Sequence, residues 1–154
     1  MKRLTIHCDG SCYYKDGRMG LGIAWFEGDE EIPFYTQSIN KHERLGTSNE
    51  AEYLAIINAL HSLRRPALDW ENIIIYSDSE IVIKQILGLY EVRGENLKNL
   101  WLDVQRLLKH LPQIEFKWCP RSLPRQQIVD RLSKKGNNYF IEKTKNERVK
   151  RRTA

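Results

Sequence analysis

At 154 residues, with 41% hydrophobic and 29% charged side chains, the chain fits one globular domain, and no stretch approaches the roughly 20 apolar residues needed to span a bilayer. Met1-Lys2-Arg3-Leu4 runs straight into a strand-like segment, without an apolar core and small-residue cleavage site, so a cytoplasmic protein is expected. The net charge of +5 equals that of residues 143–154 alone, a short cationic tail on a formally neutral body that suits phosphate contact and equally suits a solvated terminus.

Residues 4–12 read as a strand, with Leu4, Ile6 and Cys8 alternating against Thr5, His7 and Asp9. Lys15-Asp16-Gly17-Arg18 is turn chemistry, Gly20 to Phe26 a second strand, and Ile32 to Ile39 a third extended segment. Three strands with short connections predict an antiparallel meander. Thr47-Ser48-Asn49-Glu50 then matches a capping box, and Ala51 to Leu63 is apolar on nearly every face, the mark of a buried helix ended by Pro66. Ile73-Ile74-Ile75-Tyr76 has the continuous apolar character of a central parallel strand. Helices are expected over Ser79–Leu89 and Asn96–Leu111, a last strand over Ile114–Trp118, and a last helix over Arg125–Lys134. The order β-β-β-α-β-α-α-β-α predicts one mixed sheet flanked by helices, over residues 1–142, followed by the tail at 143–154.

The three cysteines form neither a disulfide framework nor a C-x-x-C pair, and Cys8 and Cys119 read as strand residues. His7, His42, His61 and His110 are scattered and make no metal cluster. Four acids stand out instead. Asp9 lies near the end of the first strand, in Cys8-Asp9-Gly10-Ser11, where small residues would allow close approach by a ligand. Glu52 lies in the first turns of the apolar helix, Asp78 follows the apolar run, and Asp130 sits on the last helix beside Val129. Singly, each has an ordinary reading: Asp78 as a helix cap, Glu52 as an acid near a helix N-terminus, Asp130 as the partner of Arg125 or Lys134, and Asp9 as a turn residue. Jointly, they converge if the first and fourth strands are neighbours, because ligands gather beyond the carboxyl ends of central strands. Divalent cations would then offset the repulsion among the acids, and an all-oxygen site suits Mg2+ or Mn2+.

Taken together, D-G-S at Asp9, N-E-A-E-Y with Glu52, S-D-S at Asp78 and the final P-R…D-R-L with Asp130 resemble the type 1 ribonuclease H family over residues 4 to about 135. The resemblance implies an α/β fold with a five-stranded mixed sheet, three antiparallel strands and then two parallel ones. It implies an endonuclease that hydrolyses the RNA strand of RNA–DNA hybrids with two Mg2+ ions, Mn2+ being an alternative. The composition predicts no membrane partner, and the oligomeric state stays open with a monomer favoured. Asp9 would bridge both ions, Glu52 and Asp78 would hold the one beside the leaving group, and Asp130 the one that activates water. Asn49 would contact ribose 2′-hydroxyls, with Ser11 and the Gly10 backbone nearby.

The chain departs from the family pattern in three places. No His follows His110, where many members carry one in the loop before the last helix. Gln126 replaces the Asn common four residues before the last Asp, and Val129 the small residue before it. Residues 89–95 are too few for the extra basic helix with which some members grip the hybrid, a part the tail from Lys143 would then share. Two other readings stay open at this level: another nuclease of the same superfold, such as a junction resolvase, integrase or proofreading exonuclease, and a non-catalytic nucleic-acid-binding module. D-G-S in place of D-x-E argues against the exonuclease. The cost of unpaired buried carboxylates argues against the module.

Overall fold

A computed structural model describes residues 2–64 and 69–137, so the tail at 143–154, the domain boundary at 142 and Pro66 lie outside the described residues. The first three strands are β1 (Arg3–Cys12), β2 (Met19–Glu27) and β3 (Tyr35–Lys41), followed by helix α1 (Ser48–Ser62). Then come β4 (Asn72–Ser77), α2 (Glu80–Ile86), α3 (Glu95–Leu108), β5 (Ile114–Trp118) and α4 (Pro124–Gly136). The strands form one sheet in the order β3-β2-β1-β4-β5. β2 pairs antiparallel with β1 and β3, whereas β4 lies parallel to both β1 and β5. This is the mixed sheet that the element order and the resemblance imply.

Register decides where the sheet opens. β1 and β4 run together only as far as Cys8 opposite Ser77, while β1 continues against β2 from Asp9 opposite Gly22 to Cys12 opposite Met19. Beyond Cys8, therefore, the β4 side of β1 is free of a neighbouring strand.

The two faces of the sheet are filled differently. Because successive side chains on a strand alternate, Leu4, Ile6 and Cys8 join Leu21, Ile23, Ile73 and Ile75 on one face. There they pack against Ala55, Ile56, Ala59 and Leu60 of α1, with Val82, Leu100 and Val104 of α2 and α3 behind. Helix α1 is buried continuously from Glu50 to Ile57, which explains why its sequence is apolar on every side. The other face carries α4 over a smaller cluster of Ala24, Phe26 and Val129. α4 lies nearly in backbone contact with β2: a Cβ added to Gly20 would fall 2.1 Å from the Ser133 carbonyl oxygen, and one added to Gly22 would fall 2.2 Å from that of Val129.

Several boundaries differ from the sequence expectation, each for a local reason. β3 begins at Tyr35 rather than Ile32, because Pro33 has no N–H to give to a ladder, and Ile32 is 81% exposed. α2 ends at Ile86 instead of Leu89, where Gly88 turns left-handed with φ 80° and the Leu89 and Tyr90 N–H groups fold back onto the Lys84 carbonyl. α3 stops at Leu108 rather than Leu111. Cys119 sits one residue past β5, buried, with its N–H donating to the Ser77 carbonyl.

Candidate metal centre

Three carboxylates meet where β1 outruns β4. Asp9 is the first β1 residue beyond the paired segment and points to the α4 side, 4% exposed. Glu52 comes from α1, whose start is fixed by the expected capping box: the Thr47 hydroxyl accepts from the Glu50 N–H, and the Glu50 carboxylate accepts from the Thr47 N–H at 2.7 Å. Gly10 brings this helix to the strand. A Cβ there would fall 2.1 Å from the Ala51 carbonyl carbon and 2.5 Å from the Glu52 nitrogen. The space on the Cβ side of Gly10 is thus taken by the α1 backbone, a use of the small residue that the sequence does not reveal. The absent side chain places Glu52 beside Asp9, where the Gly10 backbone favours the ionised form of Glu52 against the larger effects of burial and the Asp9 charge.

Asp78 follows β4. It is not the cap of α2, because Ser79 takes that role with its hydroxyl accepting from the Val82 N–H. Its main chain is held by Trp118, whose indole N–H donates to the Asp78 carbonyl at 3.1 Å, and its side chain is left to the cluster. Ser77 Oγ donates to Glu52 Oε2 at 3.3 Å and accepts from the Ser79 N–H at 3.1 Å. One oxygen from each of Asp9, Glu52 and Asp78 lies within 4.8 Å of the others.

Burial and mutual repulsion leave a mark on all three. Asp9 is pushed up to about 7, first by burial and then by the charges of Asp78 and Asp130, with a hydrogen bond from Glu52 opposing. Glu52 is raised well above the usual carboxylate range by burial and by the charge of Asp9. Asp78 is raised by burial, with the Arg121 guanidinium pulling the other way. Asp78 Oδ2 is buried without a hydrogen bond, and Arg121 Nε stands 3.5 Å from it. The largely exposed Arg121 offsets the cost of that buried anionic oxygen only in part, and a cation among the carboxylates would offset the rest. An all-oxygen donor set at this spacing, with one oxygen lacking a donor, fits a hard divalent cation.

Asp130 flanks the cluster from α4, and its carboxyl bears directly on Asp9. Among the described residues the grouping comprises Asp9, Glu52 and Asp78, and the Asp130 carboxylate pairs with Lys134 Nζ at 3.2 Å, the helical partner that the sequence allowed. Its charge nevertheless bears on both Asp9 and Asp78. Ser133 Oγ joins the two regions, 2.8 Å from the Asp130 carbonyl and 3.4 Å from Asp9 Oδ2. Of the expected substrate-contact residues, Ser11 accepts a hydrogen bond from Asn137 Nδ2 at 2.7 Å. Asn49 lines a groove of about 490 Å³ with Thr47, Arg93 and Asn96, between the starts of α1 and α3.

Sequence reasoning missed Arg121 and the polar residues behind Asp9. Arg121 lies in the loop before α4, where a His was sought and a different cation stands. Its proximity to Asp78 depends on how β5 returns to the sheet, which no local pattern encodes. His7 reads as one more strand residue, yet it is 1% exposed, stacked on Tyr76 at 4.9 Å and edge-on to Phe26. Burial pushes its pKa down to about 4, so the ring is neutral at physiological pH.

Comparison with known proteins agrees with this geometry. The reverse transcriptase-like family pattern matches residues 7–136, and a ribonuclease H of Chromobacterium violaceum is 31% identical over 150 residues, covering 87% of this chain and 94% of the relative. The chain belongs to the ribonuclease H family. It is also 26% identical over 133 residues to the bifunctional protein Rv2228c of Mycobacterium tuberculosis, covering 85% of this chain but 34% of that longer relative. This ribonuclease H family member thus spans about a third of that relative's length. Among solved structures, LC11-RNase H1 in complex with an RNA/DNA hybrid superposes with a TM-score of 0.78 at 22% identity, over 90% of this chain and 99% of that one. The shared fold includes the sheet order that brings β1 and β4 together. No helix among the described residues is long and apolar enough to cross a membrane.

Proposed function

We propose that the chain is an endoribonuclease that hydrolyses the RNA strand of RNA–DNA hybrids, with Asp9, Glu52, Asp78 and Asp130 as its catalytic carboxylates. The observation that carries this reading is the convergence of Asp9, Glu52 and Asp78 within 4.8 Å, on a chain of the ribonuclease H family. Two Mg2+ ions, or Mn2+ in their place, would neutralise the scissile phosphate and lower the pKa of an attacking water. The chain supplies the frame for this chemistry. Asp9 would take part in holding both cations. Glu52 and Asp78 would hold the side nearer the leaving group, and Asp130, released from Lys134, the water side.

Asn49, with Ser11 and the Gly10 backbone, would contact ribose 2′-hydroxyls, the groups that distinguish RNA from DNA. The groove between α1 and α3 offers Thr47, Arg93 and Asn96 beside Asn49. Residues 143–154 would add phosphate attraction, so their deletion should weaken hybrid binding and flatten its salt dependence.

Cleavage of a labelled hybrid with Mg2+, comparing wild type with Asp78→Asn, tests the reading. Wild type should cut the RNA strand and leave the DNA strand intact, and the variant, checked for folding by thermal denaturation, should be inactive. A variant as active as wild type would rule out the mechanism, and a folded but inactive wild type would rule out the function.

A further inference from the structure

Behind Asp9, on the face of the sheet covered by α4, lies a buried polar node that the proposed reaction does not use. Gln126, in the first turn of α4, is fully buried. Its Nε2 donates to the Cys8 carbonyl at 2.9 Å, and its Oε1 lies 2.9 Å from His7 Nδ1 and 3.4 Å from the Cys119 thiol. The polarity of this node is forced. A carbonyl oxygen only accepts, so the amide NH2 must face Cys8; the amide oxygen then faces His7 and Cys119, and His7 must carry its proton on Nδ1. Tyr76 and Phe26 hold the ring from its face and edge.

The apolar contact between α4 and the sheet rests on Ala24, Phe26 and Val129, with Ile128 and Leu132 beside them, and the helix backbone lies close on Gly20 and Gly22. Ser38 and Arg125 tie α4 to the outer strands and their loop through the Leu132, Gly28 and Glu30 carbonyls, whereas Gln126 is a buried link from α4 to β1 next to Asp9. Hydrogen bonds have a direction and a length, and dispersion contacts among small groups do not. A slide of α4 by a fraction of a turn would break the bonds to Cys8 and His7 together. Asp130 is one helical turn beyond Gln126, and its charge bears on Asp9.

We infer that Gln126 is a positioning residue: by pinning α4 to His7 and Cys8 of β1, it sets where Asp130 stands relative to Asp9 and so the affinity of the site for divalent cations. The inference rests on the cation-site reading above. Buried polar groups that fix a register in this way contribute to geometric specificity more than to net stability.

The test uses the full chain, with Mn2+ alone as the probe, titrated by calorimetry, and hybrid cleavage as a second readout. Gln126→Met keeps volume and helix propensity but removes the hydrogen bonds to Cys8, His7 and Cys119. It should raise the Mn2+ dissociation constant five- to tenfold and lower kcat about tenfold, with the hybrid KM within twofold, since Asn49 is on another helix. The paired variant His7→Phe with Gln126→Met replaces the node with apolar groups and should recover thermal stability without recovering Mn2+ affinity or kcat. Gln126→Asn, too short to reach both partners, should fall in between. If the paired variant regains wild-type Mn2+ affinity, the role is structural only and the inference fails. It also fails if Gln126→Met loses as much affinity in an Asp130→Asn background as in wild type, since the effect would not then pass through Asp130. Asp78→Asn is the control: unchanged Mn2+ binding there would overturn the site reading and this inference with it, whereas lost binding there beside an indifferent Gln126→Met overturns this inference alone.

Discussion

The two faces of β1 are equally buried and opposite in character. Leu4, Ile6 and Cys8 on one side, and Thr5, His7 and Asp9 on the other, are all 4% exposed or less. On the α1 side these residues pack into the large apolar cluster, and burial contributes to stability in proportion to the area removed from water. On the α4 side the strand meets Gln126, Ser133 and Asn137, and each polar group needs a partner of defined geometry. Burial alone therefore does not distinguish the core from the site. The difference lies in what each face asks of its neighbours: volume on one side, position and charge on the other.

The largest effect that would break this comparison is at Asp9. Asp9→Asn removes a carboxylate held at a pKa of about 7 by burial and by neighbouring charges, so it should abolish hybrid cleavage, by on the order of 10³-fold or more, while stabilising the cation-free fold near neutral pH. Cleavage rates and denaturant midpoints, measured on the same preparations, should move in opposite directions. If both fall together, Asp9 is a structural residue and the contrast between the faces is wrong.

Ile6→Ala, three residues earlier and on the opposite face, should do the reverse. Truncating a fully buried Ile in the main cluster costs about 2–5 kcal/mol, from lost transfer energy and the cavity left behind. The variant that remains folded should bind Mn2+ as wild type does. A shift in cation affinity would mean that the apolar face also sets the site.

The pH dependence sharpens the same point. Asp9 titrates near 3.8 when unfolded and at about 7 when folded, so between those values the native state binds more protons. Its contribution to stability therefore falls as pH rises through that window, by a few kcal/mol at about 1.4 kcal/mol per pH unit, and Glu52 adds in the same direction. Thermal unfolding without metal should show wild type losing more stability between pH 5 and pH 8 than Asp9→Asn does. Mg2+ should restore the loss, and more fully at pH 8, because the cation displaces protons that are still bound at pH 5. Identical pH slopes in the two proteins would contradict the burial of this charge.

The fold and the convergence of Asp9, Glu52 and Asp78 are legible because their signals are local. Alternation on β1, the capping box at Thr47 and Glu50, and the apolar run of β4 each follow from a few adjacent residues, and element order then implies that β1 and β4 are neighbours. What was not legible depends on register. That Gly10 also gives clearance to a helix follows only from how α1 packs on β1. The partnership of Gln126 with His7 spans 119 residues and exists only because α4 crosses the back of β1. Asp130 lies between these cases: its place on a helix is visible, but where it stands relative to Asp9 is set by how α4 is seated on β1 and β2.

The smallest expected effect is at Arg121, where the charged face meets solvent. The guanidinium is 81% exposed and 3.5 Å from a nearly buried Asp78 oxygen, so the pair is worth no more than about 1 kcal/mol, and less in salt. Its effect on cations has the opposite sign. A positive group beside Asp78 holds that carboxyl ionised but competes with a metal for the same oxygen. Arg121→Gln should cost under about 1 kcal/mol of cation-free stability at pH 8, and the cost should shrink as acid protonates Asp78. Mn2+ affinity should rise about two- to threefold, with the gain fading above 0.3 M salt as screening weakens the repulsion between the guanidinium and the bound ion. Weaker Mn2+ binding in Arg121→Gln would mean that Arg121 orients Asp78 for the cation and does not compete with it.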